Sequence, residues 1–129
     1  MYKIFKFILL IVFCTFNINT SLNSAEEKIK IGLLVPITGD NKAIGQQIVK
    51  STRMALKDIN NKNLEVFLKD TNSNPNKAIK SAIELKEMGI KIVIGPVFYK
   101  SLEFLDDIED MTFLSLTNKT INLPKNVIS

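Results

Sequence analysis

Residues 29–40 read Ile-Lys-Ile-Gly-Leu-Leu-Val-Pro-Ile-Thr-Gly-Asp. The first seven form a short apolar run closed by Pro36, which predicts a buried strand. Working outward, the apolar residues Ile44, Ile48, Val49, Ala55, Leu56 and Ile59 recur with helical spacing between Asn41 and Asn60. That spacing predicts a helix with those residues inward, Lys50, Arg53 and Lys57 outward, and Asp40 as its cap. Leu64 to Leu68 alternates as a second, shallower strand. Asn74-Pro75 then marks a helix start, with a cap followed by a proline whose missing N–H costs nothing there. That helix uses Ala78, Ile79, Ala82, Ile83 and Leu85 and stops at Gly89. Ile90 to Ile94 reads as a third strand, Ser101 to about Glu109 as a third helix with Leu102, Leu105 and Ile108 inward, and Thr112 to Leu116 as a fourth strand.

Strands alternating with helices predict an α/β fold, a parallel sheet of about four strands flanked by helices and joined by right-handed crossovers. Ligands of such sheets bind beyond the carboxyl ends of the strands, so loops 36–41, 70–74, 95–101 and 115–119 are the candidate surface. Asn118 to Ser129 offers no recognisable further element. The fourth strand is therefore expected to be an open edge, the chain to be a piece of a longer product, and the piece to be poorly soluble.

Several chemistries lack their residues. With no His and one Cys, neither a Ser-His-Asp nor a Cys-His device can form, nor a His-ligated or thiolate zinc site. The first loop has only Gly39 and Gly45, short of a dinucleotide fingerprint, and Gly45 is followed by Gln46-Gln47 where a phosphate loop needs Lys and a hydroxyl. A receiver domain wants an acidic pair after the first strand, where Pro36-Ile37 stands. No cofactor is implied, and no catalysis. Asp70 reads as a turn residue or a ligand anchor. The acids Asp106, Asp107, Glu109 and Asp110 read as a solvated helix end, since no glycine-containing loop of alternating oxygen ligands accompanies them. Tyr99 supplies either a ring to stack on a ligand or a cover for the sheet edge. Ser115 and Thr117 offer hydroxyls to a bound molecule, although strand alternation accounts for them equally.

The amino terminus is a separate matter. Lys3 and Lys6 precede ten almost wholly apolar residues, Phe7 to Phe16, and Asn17, Asn19 and Asn23 end the run. A membrane-spanning helix needs about 20 apolar residues. The pattern is that of a secretory signal peptide over residues 1–25, cut after Ala25, with an uncleaved anchor as the alternative. Phe13 before Cys14 argues against a lipoprotein signal. Loss of the leader removes both of its lysines and leaves a net charge of +2 on residues 26–129. The remaining lysines alternate with acids, which gives nucleic acid no basic stripe to follow. The domain reading is therefore a signal peptide and one partial domain, exported to the periplasm, with no membrane span after cleavage.

At this point the residues carry a likeness. Ile31-Gly-Leu-Leu-Val-Pro-Ile-Thr-Gly39 with Gly45 six residues on, Lys69-Asp70-Thr71 with Asn74 to Ala78, Ile92-Val-Ile-Gly-Pro-Val97 and Leu114-Ser-Leu-Thr-Asn118 together resemble the type I periplasmic binding proteins, the leucine-binding-protein-like group. The resemblance covers residues 29–118. It implies a two-lobed protein about three times this length, of which residues 26–129 would form most of the first lobe. It also implies a small polar solute, such as an amino acid, delivered to the permease of an ABC importer. The ligand contacts would come from Thr38, Gly39, Tyr99, Ser101, Ser115 and Thr117. Phe98-Tyr99-Lys100 stands before Ser101 where amino-acid-binding members usually place hydroxyls directly after Gly-Pro. Those members also tend to carry an aromatic at the position of Ile44 and a small residue plus Thr at Asn118-Lys119. Gly95-Pro-Val-Phe98 and Leu114-Ser-Leu-Thr-Asn118 look closer to the penicillin-binding-protein activator branch, whose partner is a cell-wall synthase.

Overall fold

A computed structural model describes residues 28–118 and 122–129. The expected signal peptide lies outside these residues. Seven elements carry the fold: β1 (Ile29–Val35), α1 (Lys42–Ile59), β2 (Leu64–Asp70), α2 (Pro75–Glu87), β3 (Ile92–Ile94), β4 (Thr112–Leu114) and β5 (Val127–Ile128). All strand pairs are parallel, and the sheet order is β2-β1-β3-β4-β5. The α/β architecture, a parallel sheet flanked by helices, is as the sequence predicts.

Three expectations are corrected. The carboxyl-terminal segment supplies a fifth strand, so β4 is not an open edge: Phe113 N–H donates to Asn126 O at 2.8 Å and Ser115 N–H to Ile128 O at 2.7 Å. The third helix is instead two short 3-10 helices, Tyr99–Leu102 and Leu105–Asp107, broken at Phe104, whose φ is 67°. Leu102, Leu105 and Ile108 are nevertheless buried, because a spacing of three serves a 3-10 turn as well as an α-helix. The cap of α1 is Asn41, not Asp40, and it makes no side-chain capping bond. Its amide donates instead to Ser73 Oγ at 3.1 Å.

The second helix follows its local code at both ends, although Ile83, expected inward, is exposed. Asn74 Oδ1 accepts Lys77 N–H at 3.1 Å, and Pro75 takes the first turn. At the other end Gly89 N–H reaches Lys86 O at 2.8 Å and Ile90 N–H reaches Leu85 O at 3.1 Å, a Schellman closure with Gly89 at φ 75°. Its hydrophobic partners Leu85 and Ile90 are both buried. Ile90 therefore closes the helix, and β3 starts only at Ile92.

One face of the sheet holds the core. Leu34, Val93, Phe113 and Val127 project from four strands against Ala78, Ala82 and Leu85 of α2 and against Leu102, Leu105 and Ile108. Each fully buried large side chain contributes about 1.5–3 kcal/mol. Asn126 ties this layer to β5, with its amide donating to Leu105 O at 2.6 Å and Ile108 O at 3.2 Å.

The other face is different. Right-handed crossovers to strands on opposite sides of β1 place α1 on the face away from α2. There Gly45 meets the backbone of Pro36 so closely that a Cβ would lie 1.8 Å from the Pro36 carbonyl oxygen. Ile48, Val49 and Leu56 are half-buried, but Ile44, Ala55 and Ile59, expected inward, are exposed. Beyond β1 this face carries Ile92, Leu114 and Ile128, which are 43%, 38% and 58% exposed.

Candidate ligand-binding cleft

The loops leaving β1, β2, β3 and β4 gather at the carboxyl edge of the sheet. A cleft of about 520 Å³ opens there, with Asn41 and Ser73 on one side, Val97 to Ser101 along another, and Leu116, Thr117 and Asn118 on the third.

Asp70, the last residue of β2, organises the first wall. Its Oδ1 accepts backbone N–H groups from Ile37 at 2.8 Å, Thr38 at 3.2 Å and Asn72 at 2.9 Å. Its Oδ2 accepts the Thr38 hydroxyl at 2.6 Å and the Lys77 ammonium at 2.7 Å. The Asn72 bond is the turn contact expected of an Asx residue. Partial burial alone would raise the Asp70 pKa. The Lys77 and Thr38 side chains, with the Asn72 and Ile37 N–H groups, outweigh it and hold the carboxyl well below the usual carboxylate range.

The second and third walls are knitted to each other. Gly95 has φ 107° and approaches β1 so closely that a Cβ would stand 2.2 Å from Leu34 O. Its N–H donates to Leu114 O at 2.7 Å, and Leu116 N–H returns to Pro96 O at 3.0 Å. Ser115 Oγ donates to Pro96 O at 3.4 Å and accepts Thr117 N–H at 3.2 Å.

Of the six residues singled out in the sequence, Tyr99, Ser101 and Thr117 line the cleft. The other three do not. Thr38 and Ser115 spend their hydroxyls on Asp70 and on the 96–117 loop pair, and Gly39 packs against Asn72. Sequence reading named the loops that carry Asn41, Ser73, Lys100 and Asn118 without selecting those residues. The signal for Asn41 and Ser73 is a side-chain bond between loops 32 residues apart, which no local pattern displays. The acidic run after Glu103 lies exposed on the 3-10 segment, away from the cleft. Among the described residues no group of three or more His, Cys, Asp or Glu could hold a metal ion, and no helix is long and apolar enough to cross a membrane.

Comparison with known proteins bears on this arrangement. Residues 28–110 match the family model described as periplasmic binding protein. The Leu/Ile/Val-binding protein homolog 1 of Brucella abortus is 31% identical over 78 residues, which is 56% of this chain and 21% of that protein. The chain thus spans about a fifth of the length of the curated relative it matches. Among solved structures, the branched-chain amino acid substrate-binding protein LivJ of Streptococcus pneumoniae, in complex with isoleucine, superposes with a TM-score of 0.70 at 21% identity, over 79% of this chain and 33% of its own. LpoA of Haemophilus influenzae gives a TM-score of 0.58 at 31% identity, over 73% of this chain and 17% of its own. With a family match over most of the described residues and the superposition on LivJ, the chain belongs to the periplasmic binding proteins, in their type I, leucine-binding-protein-like group.

Proposed function

We propose that this chain is the larger part of the first lobe of an extracytoplasmic solute-binding protein, exported by the signal peptide at residues 1–25, which captures a small polar solute such as an amino acid for an ABC importer. The observation that carries this reading is the cleft itself. Loops from four parallel strands bring hydroxyl and amide side chains, Asn41, Ser73, Thr117 and Asn118, around one open volume of ligand size. A cleft open on one side suits closure by a second lobe, as the resemblance implies. The described lining is of apolar, hydroxyl and amide side chains with one lysine, which supports binding of a small polar molecule.

Thermal denaturation in a panel of amino acids, short peptides and organic acids tests the proposal. A ligand at a hundredfold excess over its dissociation constant is expected to stabilise the protein by about 2.7 kcal/mol. A panel without any shift overturns it.

A second reading, a regulator of peptidoglycan synthases that acts through protein contact, is favoured by one observation. The identity to the Haemophilus LpoA chain, 31%, equals that to the Brucella Leu/Ile/Val-binding protein homolog. It predicts that a cell-wall synthase is recovered on the immobilised chain, and recovery of importer subunits alone would sink it.

A further inference from the structure

The cleft carries an unbalanced charge. Among the described residues its lining contains one cationic side chain, Lys100, and no carboxylate. Asp70, which organises the first wall, is saturated by three N–H groups, a hydroxyl and the Lys77 ammonium. Glu103 lines the neighbouring cleft that shares Tyr99 and Lys100, not this one. The ion pairs among the described residues join Lys28 to Glu65, Lys69 to Glu84 and Lys77 to Asp70, and leave Lys100 without a carboxylate partner. The next residue in the chain, Ser101, also lines the cleft and is only 2% exposed.

A zwitterion gains from one such cation at its carboxylate but meets no anion for its ammonium on this wall. A ligand of net negative charge meets no such mismatch. We propose that Lys100 is a specificity-determining residue that makes this site prefer a carboxylate ligand of net negative charge over a zwitterionic amino acid of the same shape. The inference rests on the solute-binding reading above. Charge-assisted hydrogen bonds are about twice as strong as neutral ones, and the long Lys100 stem lets its ammonium follow the ligand's carboxylate.

Three molecules of one carbon skeleton separate the possibilities: 4-methylpentanoate, an anion; leucine, a zwitterion; and 4-methylpentanamide, neutral. Each is titrated into the ¹⁵N-labelled full chain while the amide resonances of Tyr99, Ser101 and Thr117 are followed. The anion is expected to bind more tightly than the other two, with an affinity that falls as salt is added. Lys100→Met is expected to weaken 4-methylpentanoate by about tenfold or more and leave the amide unchanged. Lys100→Arg restores the anion preference, while the spectrum outside the cleft stays that of the wild type. Leucine binding at least as tightly as the anion, or anion binding that Lys100→Met leaves intact, overturns the charge inference and leaves the solute site standing. Failure of all three molecules to move these resonances counts against the solute-binding reading as well.

Discussion

Asp70 Oδ1 accepts the Ile37 N–H at 2.8 Å, so the turn after β2 holds the loop after β1 in place. Because the same carboxylate also carries Thr38, Asn72 and Lys77, its removal leaves several donors unmatched at once. Asp70→Ala is therefore expected to lower stability by roughly 1–3 kcal/mol in a urea titration. It is also expected to broaden the amide resonances of residues 36–41. A variant that unfolds at the wild-type midpoint would mean that the loop is held by its backbone contacts alone.

The same cluster sets a pH dependence. The Asp70 pKa is depressed in the folded chain, whereas in the unfolded chain it lies near 3.9, about the ordinary value. A depressed carboxylate contributes stability that is fully present above the unfolded value and is lost as pH falls through the folded one. Stability referable to Asp70 is thus expected to be level from about pH 5 upward and to decline below about pH 4. Urea midpoints at pH 6 and pH 3 measure the decline, and Asp70→Asn is expected to make it shallower. An equal acid loss in wild type and variant would assign the effect to other carboxylates.

What the sequence disclosed follows the range of the interactions involved. The ends of the second helix were legible because Asn74, Pro75, Gly89 and the Leu85–Ile90 contact are all local. The parallel sheet was legible from the alternation of strands and helices. The third helix was misread because Leu102, Leu105 and Ile108 fit periods of 3.0 and 3.6 alike, and only Phe104 in the left-handed region separates the two. Two residues, Val127 and Ile128, are too few to show a period at all. At the cleft the chain order identified the loops, but not which hydroxyls are used internally. Ser115 looked available from its strand position, and it is occupied by Pro96 and Thr117.

Gly45 holds α1 against the end of β1. A methyl group there would sit 1.8 Å from Pro36 O and 2.5 Å from the Pro36 carbonyl carbon, both backbone atoms that cannot rotate away. Gly45→Ala gains about 1 kcal/mol of helix propensity. Against this, the helix must lift off the sheet, an overpacking cost of roughly 1–3 kcal/mol. The net change is expected to be destabilising, with displaced resonances in Pro36 to Asn41. A stabilised Gly45→Ala protein would show that α1 shifts freely over this face.

The two faces of β4 lead to opposite expectations for neighbouring residues. Phe113 is fully buried in the core layer, and its replacement by Ala is expected to cost about 3–5 kcal/mol. Leu114 points the other way, where its registry with Ile94 and Ile128 continues a row that begins at Leu68 and Leu33 and crosses all five strands. Parallel sheets normally bury both faces, so this row leaves apolar surface in water and favours self-association. Poor solubility of the chain is thus expected from its bare face, rather than from an unpaired β4. Leu114→Lys combined with Ile128→Lys is expected to change stability by less than about 0.5 kcal/mol per site. The pair is also expected to reduce both the binding of an apolar fluorescent dye and the mass seen in light scattering. Wild-type protein that is monomeric and does not bind the dye would mean that this face is covered in solution, and the two lysines would then destabilise the fold as a core substitution does.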